Sequence, residues 1–129
     1  MYLDTDIALA LAKEEDWLKE HVVKLNLEHA KTSVLTIIEA RLVLNREYSR
    51  EKALQVLDKI KKLKIGLISL DEEIIAKSQE LIEKYNKIGI FDSIHAATAI
   101  VNSEELISTD SIFGEIDEVN NKDPRSLKS

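Results

Sequence analysis

The stretch "MYLDTDIALA" (residues 1–10) sets the pattern on which the rest of the chain is built. Its short apolar run ends at Asp4, and Ile7 and Ala8 then continue at once into a helix. The same succession of a short apolar run and a longer helical segment recurs along the chain. Further strands are predicted at residues 31–36 ("KTSVLT"), 65–70 ("IGLISL") and 105–109 ("ELIST"), with a weak edge strand near residues 118–120.

The segments between these runs carry apolar residues at helical spacing. Helices are predicted at residues 15–28, 36–48, 50–63 and 93–102, with another long helix that Asp71 caps. The strands lack the polar and apolar alternation of a half-exposed sheet, which indicates a parallel sheet covered on both faces. We therefore expect an α/β fold, a three-layer α/β/α sandwich with a central parallel sheet of four to five strands. Residues 1–129 are expected to form one domain, with a flexible tail from about residue 121.

The amino-acid composition excludes several kinds of functional site. The chain has 129 residues and no cysteine, which excludes disulfides, thiolate zinc sites and cysteine nucleophiles. The N-terminus lacks the basic segment of a secretory signal, and no apolar run is long enough for a membrane span, so we expect a cytoplasmic protein. The net charge is −6, which argues against broad electrostatic capture of nucleic acid.

Acidic residues follow the predicted strands or begin the predicted helices. The four acids of interest are Asp4, Glu39, Asp92 and Asp110. Each could simply be a helix cap: Asp92 and Asp110 are good N-cap residues, and Thr36 and Glu39 have the spacing of a capping box. At the carboxyl ends of parallel strands, however, the four would meet, and clustered carboxylates repel one another unless a cation joins them. Carboxylate oxygens without cysteine or paired histidines suit Mg²⁺ or Mn²⁺ better than zinc.

Four segments, in this order, resemble the PIN-domain ribonucleases, and most closely the VapC-type toxins of prokaryotic toxin–antitoxin pairs. They are "YLDTDIALAL", "SVLTIIEARL", "GIFDSIHAATAI" and "LISTDSIF". The resemblance implies that Asp4, Glu39, Asp92 and Asp110 match the family's acidic quartet, which holds one or two Mg²⁺ or Mn²⁺ ions and cuts RNA by metal-assisted attack of water. It also implies a small antitoxin protein as partner and a homodimer.

The same resemblance assigns lesser roles around the cleft. Thr5 and Ser108 match hydroxyl positions that line it, and Asp6 stands where the family usually has a small polar residue, so it could add a charge behind the ligands or a water-mediated contact. Phe113 matches the residue that anchors the loop after the fourth acid. His95, one helical turn from Asp92, is interpreted chiefly as a packing histidine beside the site, with a proton-shuttle role as the alternative.

The sequence is also compatible with two other functions, and it leaves two interpretations of Trp17. A non-catalytic PIN-type RNA-binding or scaffold module would keep the fold without the chemistry. A phosphatase of the haloacid-dehalogenase type would use Asp4 and Asp6 of "LDTD" as nucleophile and acid, although Ile7 enters a helix where that family usually turns through Gly-Thr. Trp17 is interpreted as a packing residue or, alternatively, as part of a groove for a partner helix.

Overall fold

The computed structural model describes residues 1–126 and has one five-stranded sheet with helices on both faces. The strands are β1 (Tyr2–Leu3), β2 (Lys31–Ser33), β3 (Gly66–Ile68), β4 (Leu106–Ile107) and β5 (Asn121–Lys122). The helices are α1 (Thr5–Ala12), α2 (Lys19–Val22), α3 (Val34–Glu47), α4 (Arg50–Lys62), α5 (Glu72–Lys84) and α6 (Ile90–Val101). All neighbouring strands are parallel, in the order β3-β2-β1-β4-β5, which confirms the predicted α/β fold.

The central strand β1 separates two cores because successive side chains of a strand point to opposite faces. Tyr2 packs with residues of α5 and α6, among them Leu81 and Ala97. Leu3 packs on the other face with residues of α1 and α2, among them Ile7 and Val22. Burying one such aliphatic side chain contributes about 1.5–3 kcal/mol, so this alternation stabilises the three-layer arrangement.

Small residues bring α6 close to its neighbours. Ala96, Ala97 and Ala99 are all buried in the core that α5 and α6 share with β1. An alanine adds only one methyl group to the backbone, so larger residues at these positions would push the helix outwards. The close approach matters because α6 carries Asp92 and His95.

Helix starts differ most from the sequence predictions. The helix predicted to begin at Thr36 begins at Val34, so β2 ends at Ser33, and α6 begins at Ile90 instead of Ser93. The helix predicted over residues 15–28 is shortened to α2, because residues 13–18 form a bend and a turn in which the Asp16 carboxylate accepts the Leu18 N–H.

The C-terminal segment is more regular than the predicted tail. The weak edge strand lies at Asn121–Lys122, slightly later than predicted, where it pairs with β4. A 3₁₀ turn follows at Pro124–Ser126, and residues 127–129 of the predicted tail lie outside the described residues. Over the described range, the helices are too short or too polar to cross a lipid bilayer.

Candidate metal centre

The candidate site lies at the carboxyl ends of the central strands, where ligands of open parallel sheets gather. Asp4 directly follows β1 and caps the N-terminus of α1. It is only 9% exposed, and both carboxylate oxygens are held: Oδ1 accepts the Thr5 N–H at 2.8 Å and Oδ2 accepts the Ser108 hydroxyl at 2.7 Å. Burial raises the pKa of Asp4 above its usual range, although nearby His95 opposes that rise.

Glu39 reaches the same place from α3. Because α3 begins at Val34, Glu39 stands in its second turn, and the predicted capping box with Thr36 does not form. Instead, Glu39 Oε1 accepts the Thr5 hydroxyl at 3.0 Å and is hydrogen-bonded to His95 Nε2. The carboxylate is therefore directed towards Asp4 and not towards its own helix.

His95 joins the two carboxylates and is only 1% exposed. Its Nε2 is bonded to Glu39 and lies 3.4 Å from Asp4 Oδ1. Its Nδ1 is 2.6 Å from the Tyr2 hydroxyl, which is itself 2.7 Å from the Ser33 hydroxyl. Burial alone would lower the pKa of His95, but the Glu39 hydrogen bond and the Asp4 charge outweigh it, so the pKa is raised.

Potential ligand atoms of Asp4, Glu39 and His95 all lie within 4.8 Å of one another. His95 was predicted chiefly as a packing histidine beside the four acids, and its central position between Asp4 and Glu39 was not predicted from the sequence. A signal was nevertheless present: a histidine among the alanines of a buried helix face needs polar partners. Tyr2, at an otherwise apolar strand position, is one of them.

Asp92 lies at the mouth of the site and does not cap α6. Gly89 is the N-cap, so Asp92 occupies the third helical position, where an acidic side chain can turn back towards the cap. The side chain is half-buried. Burial, followed by the charges of Asp110 and Glu39, raises the pKa of Asp92, whereas His95 and the Gly89 N–H act in the opposite direction.

Asp110 is exposed and does cap a helical turn, as the sequence predicted. Its Oδ1 accepts the Ile112 N–H at 3.0 Å at the start of the 3₁₀ turn Ser111–Glu115. Its own N–H donates to the Ser108 hydroxyl at 3.0 Å, and Ser108 in turn holds Asp4. Phe113 of the same turn is fully buried in the core, where it can anchor this loop.

Asp6 is tied to the loop after β4. Its Oδ2 accepts both the N–H and the hydroxyl of Thr109, at 3.1 and 2.5 Å, and its Oδ1 accepts the Ile7 N–H. Burial and the Asp4 charge raise the pKa of Asp6 to about 6. The α1 helix starts directly at Thr5, so Asp4 and Asp6 lack the looped setting that the phosphatase alternative requires.

The site therefore has two halves. The inner acids, Asp4 and Glu39, converge on His95 and share hydrogen bonds with Thr5. The outer acids, Asp92 and Asp110, are more exposed and lie outside the cluster whose ligand atoms are within 4.8 Å. They still influence each other electrostatically, since Asp110 raises the pKa of Asp92. Such a set of clustered carboxylates and one imidazole can hold a divalent cation.

Comparison with known proteins identifies one family model. The sequence matches the model described as "PIN domain" over residues 1–119. No curated protein matches the chain.

Several solved structures share the architecture. The chain is similar to VapBC2 from Rickettsia felis, with 20% identity, a TM-score of 0.75 and coverage of 95% of this chain and 96% of that one. It is similar to VapC20 from Mycobacterium tuberculosis, a sarcin–ricin-loop-cleaving toxin, with 14% identity, a TM-score of 0.77 and coverage of 92% and 96%. It is also similar to FitAcB from Neisseria gonorrhoeae, with 22% identity, a TM-score of 0.73 and coverage of 98% and 99%. At these identities the likeness is one of fold.

Proposed function

The chain belongs to the PIN-domain family, and from that premise we propose that it is a metal-dependent endoribonuclease of the VapC toxin type. The reaction is hydrolysis of RNA phosphodiester bonds. The single observation that carries this proposal is the convergence of Asp4, Glu39 and His95, with ligand atoms within 4.8 Å, at the strand ends of a PIN fold. Similarity in fold to an RNA-cleaving toxin supports the choice of RNA as substrate.

The residues present fit a divalent cation by their own chemistry. Two carboxylates held this close, one of them buried, repel each other, and the raised pKa of His95 indicates that positive charge between them is stabilised. We assign Mg²⁺ or Mn²⁺ to this position, with Asp4 and Glu39 as the principal ligands and Asp92 and Asp110 completing the acidic quartet. A bound cation would supply polarisation of the phosphodiester and activation of an attacking water.

The protein's own contribution is to hold these ligands still. Thr5 donates its N–H to Asp4 and its hydroxyl to Glu39, so one residue orients both inner acids. Ser108 fixes the second oxygen of Asp4 and, through the N–H of Asp110, links the inner half to the outer half. His95, fixed by Tyr2 on its other ring nitrogen, keeps Glu39 directed inwards. Such preorganisation means that little reorganisation is needed when substrate binds.

Partners follow from the same proposal. A Klebsiella pneumoniae structure that is 22% identical to this chain is a toxin–antitoxin complex. We propose a small antitoxin protein as the partner of this chain, a homodimer as its own assembly, and action on RNA in the cytoplasm.

Cleavage of a fluorescence-quenched single-stranded RNA tests the proposal. The wild-type protein is assayed with Mn²⁺, with Mg²⁺ and with EDTA, beside Asp4→Asn. A signal that requires both the metal and Asp4 is expected, because Asn cannot supply the anionic oxygen. Glu80→Gln, which removes an exposed acid of α5 far from the site, is the matched control and should cleave like the wild type. Equal signal from wild type and Asp4→Asn, or signal that survives EDTA, would contradict the proposal.

A further inference from the structure

Trp17, in the turn between α1 and α2, is exposed where a packing residue would be buried. It is 66% exposed, so the packing role predicted from the sequence is wrong. The guanidinium carbon of Arg125 lies 5.6 Å from the centre of its ring, within the range of a cation–π interaction. We call these two side chains the Trp17–Arg125 platform.

Arg125 is held in place from two sides. Its Nε donates to both carboxylate oxygens of Asp123, at 2.9 and 3.0 Å, and its Nη2 is also bonded to Asp123. The same Nη2 donates to the backbone carbonyl of Thr109 at 3.4 Å. The guanidinium plane is thus fixed beside the indole, and little side-chain entropy is left to lose when a ligand binds.

The Thr109 contact connects the platform to the metal centre. Thr109 precedes Asp110, one of the outer acids, and both its N–H and its hydroxyl are bound by Asp6. Arg125 therefore links the Trp17 ring to the loop that carries Asp110. Its guanidinium carbon is 5.6 Å from the ring centre, and its Nη2 is 3.4 Å from the Thr109 carbonyl. The platform therefore borders the loop that carries Asp110, which lets one RNA strand contact both.

We propose that the Trp17–Arg125 platform is a nucleotide subsite, on which an unpaired base of single-stranded RNA stacks while a neighbouring phosphate lies at the metal centre. The inference rests on the proposed function and adds the form of RNA that it selects. Bases in a duplex are already stacked on one another, so an exposed indole is usable mainly by an unpaired base.

Charge explains why such a subsite is needed. The net charge is −6, and residues 65–129 carry 6 Lys/Arg against 13 Asp/Glu, so general attraction for phosphates is weak. Stacking on an aromatic ring does not depend on net charge and accepts any base, because every base has a π face. Arg125 lies over the ring while paired with the Asp123 carboxylate, so the platform itself carries no net negative charge that would repel RNA.

Tryptophan fluorescence tests the subsite directly, because Trp17 is the only tryptophan in the chain. The wild-type protein is titrated in EDTA, which stops metal-dependent cleavage, with oligoadenylate and with the duplex of oligoadenylate and oligouridylate. Oligoadenylate should quench the emission, whereas the duplex should leave it unchanged. Anisotropy of fluorescein-labelled oligoadenylate gives the affinity of each variant.

The variants separate stacking from folding. Trp17→Ala should weaken oligoadenylate binding by roughly 5- to 100-fold, the range that loss of one base–aromatic stack produces. Trp17→Phe should retain most of the affinity, since an aromatic face remains. Leu67→Ala, which truncates an equally exposed apolar side chain on the outermost strand β3, should bind like the wild type.

Failure of the subsite and failure of the proposed function have different signatures. The subsite is overturned if oligoadenylate leaves the emission unchanged, or if Trp17→Ala binds oligoadenylate as the wild type does. That conclusion holds even when the metal-dependent cleavage assay is positive, and Trp17 would then serve a protein partner. Quenching in the wild type, together with anisotropy that shows weakened binding by Trp17→Ala, would support the subsite, and absence of RNA cleavage in the same wild-type protein would overturn the nuclease. Equal quenching by the duplex would overturn the preference for unpaired bases.

Discussion

The inner and outer halves of the site hold their carboxylates in different ways. Asp4 is buried and both of its oxygens are hydrogen-bonded, and Glu39 is bonded to Thr5 and His95. Asp92 is half-buried at the first turn of α6, and Asp110 is exposed on a 3₁₀ turn. The inner acids are thus fixed by the packed strands and helices, whereas the outer acids interact with the site mainly through their charges.

This difference indicates a division of labour. A ligand that is already oriented loses little entropy when a cation binds, so the inner acids should provide most of the metal affinity. Acids at the mouth can adjust to the cation and to the RNA phosphate, at the expense of weaker individual contributions. The four acids, which look equivalent in the sequence, should therefore differ strongly when each is replaced.

The largest expected effect compares the two halves by activity. Asp4→Asn should reduce the rate of RNA cleavage by at least about 1,000-fold, because a metal centre supplies several kcal/mol of transition-state stabilisation. Asp110→Asn should reduce it by only about 10- to 100-fold, the range typical of groups around the primary ligands. Rates with Mn²⁺ on the same quenched RNA measure both. Equal losses for the two variants would break the distinction between the halves.

The next effect concerns stability and belongs to the inner half. His95→Ala should lower the free energy of unfolding in EDTA by about 2–3 kcal/mol, because it leaves a cavity and removes a partner from Glu39 and Tyr2 at once. Urea unfolding followed by circular dichroism measures the change. His21→Ala, on the surface of α2, is the control and should stay within about 0.5 kcal/mol of the wild type. A similarly small change for His95→Ala would mean that His95 does not hold the inner acids.

The position of His95 also shows what the sequence could and could not predict. Strand order along the chain, the parallel sheet and the placement of acids at strand ends follow from local patterns, and the fold was predicted correctly. The contact of His95 with Tyr2 joins residues 93 positions apart, and no local pattern contains that information. The histidine was predicted as a packing residue because the sequence does not show which polar side chain contacts it in the fold.

Helix starts were predicted less well for a related reason. Asp92 was taken as the N-cap of α6 because carboxylates commonly cap helices, yet Gly89 takes that position and Asp92 is the third residue of the helix. Val34 was assigned to a strand on its β-branched side chain, but the α3 helix begins there. In both cases a weak local preference did not decide where the helix begins, as is common at the ends of elements.

A smaller loss of stability is expected when Tyr2, the hydrogen-bond partner of His95, is changed. Tyr2→Phe should cost about 1–2 kcal/mol of unfolding free energy, because the lost hydroxyl leaves the buried Ser33 and the His95 Nδ1 without their shared partner. The same urea experiment measures it. Tyr85→Phe removes a hydroxyl that bonds Glu118 and the Asp117 N–H, and because both bonds are exposed this control should cost less than about 0.5 kcal/mol. Equal losses of unfolding free energy for Tyr2→Phe and Tyr85→Phe would indicate that the hydrogen bonds of Tyr2 with Ser33 and His95 do not stabilise the fold more than an exposed hydrogen bond does.

The smallest effect has the opposite sign and belongs to the outer half. The pKa of Asp92 is raised, so the folded protein disfavours its ionised form at neutral pH. Asp92→Asn should therefore raise the stability of the metal-free protein by roughly 0.5 kcal/mol, a gain of about 2 °C in Tm. Calorimetry in EDTA measures the shift. Asp58→Asn breaks an exposed pair with Lys62, and its Tm should be unchanged or slightly lowered. A lowered Tm for Asp92→Asn would show that repulsion among the acids is not significant.

Binding of Mn²⁺ without RNA shows most directly whether Asp4 and Glu39 form the core of a metal centre. Isothermal titration calorimetry compares the wild type with Asp4→Asn, Asp92→Asn and the control Glu80→Gln. Asp4→Asn should abolish measurable binding, Asp92→Asn should weaken it by about 10- to 100-fold, and Glu80→Gln should bind like the wild type. If Asp4→Asn bound Mn²⁺ as tightly as the wild type, the inner acids would not hold the metal, and the account would be contradicted.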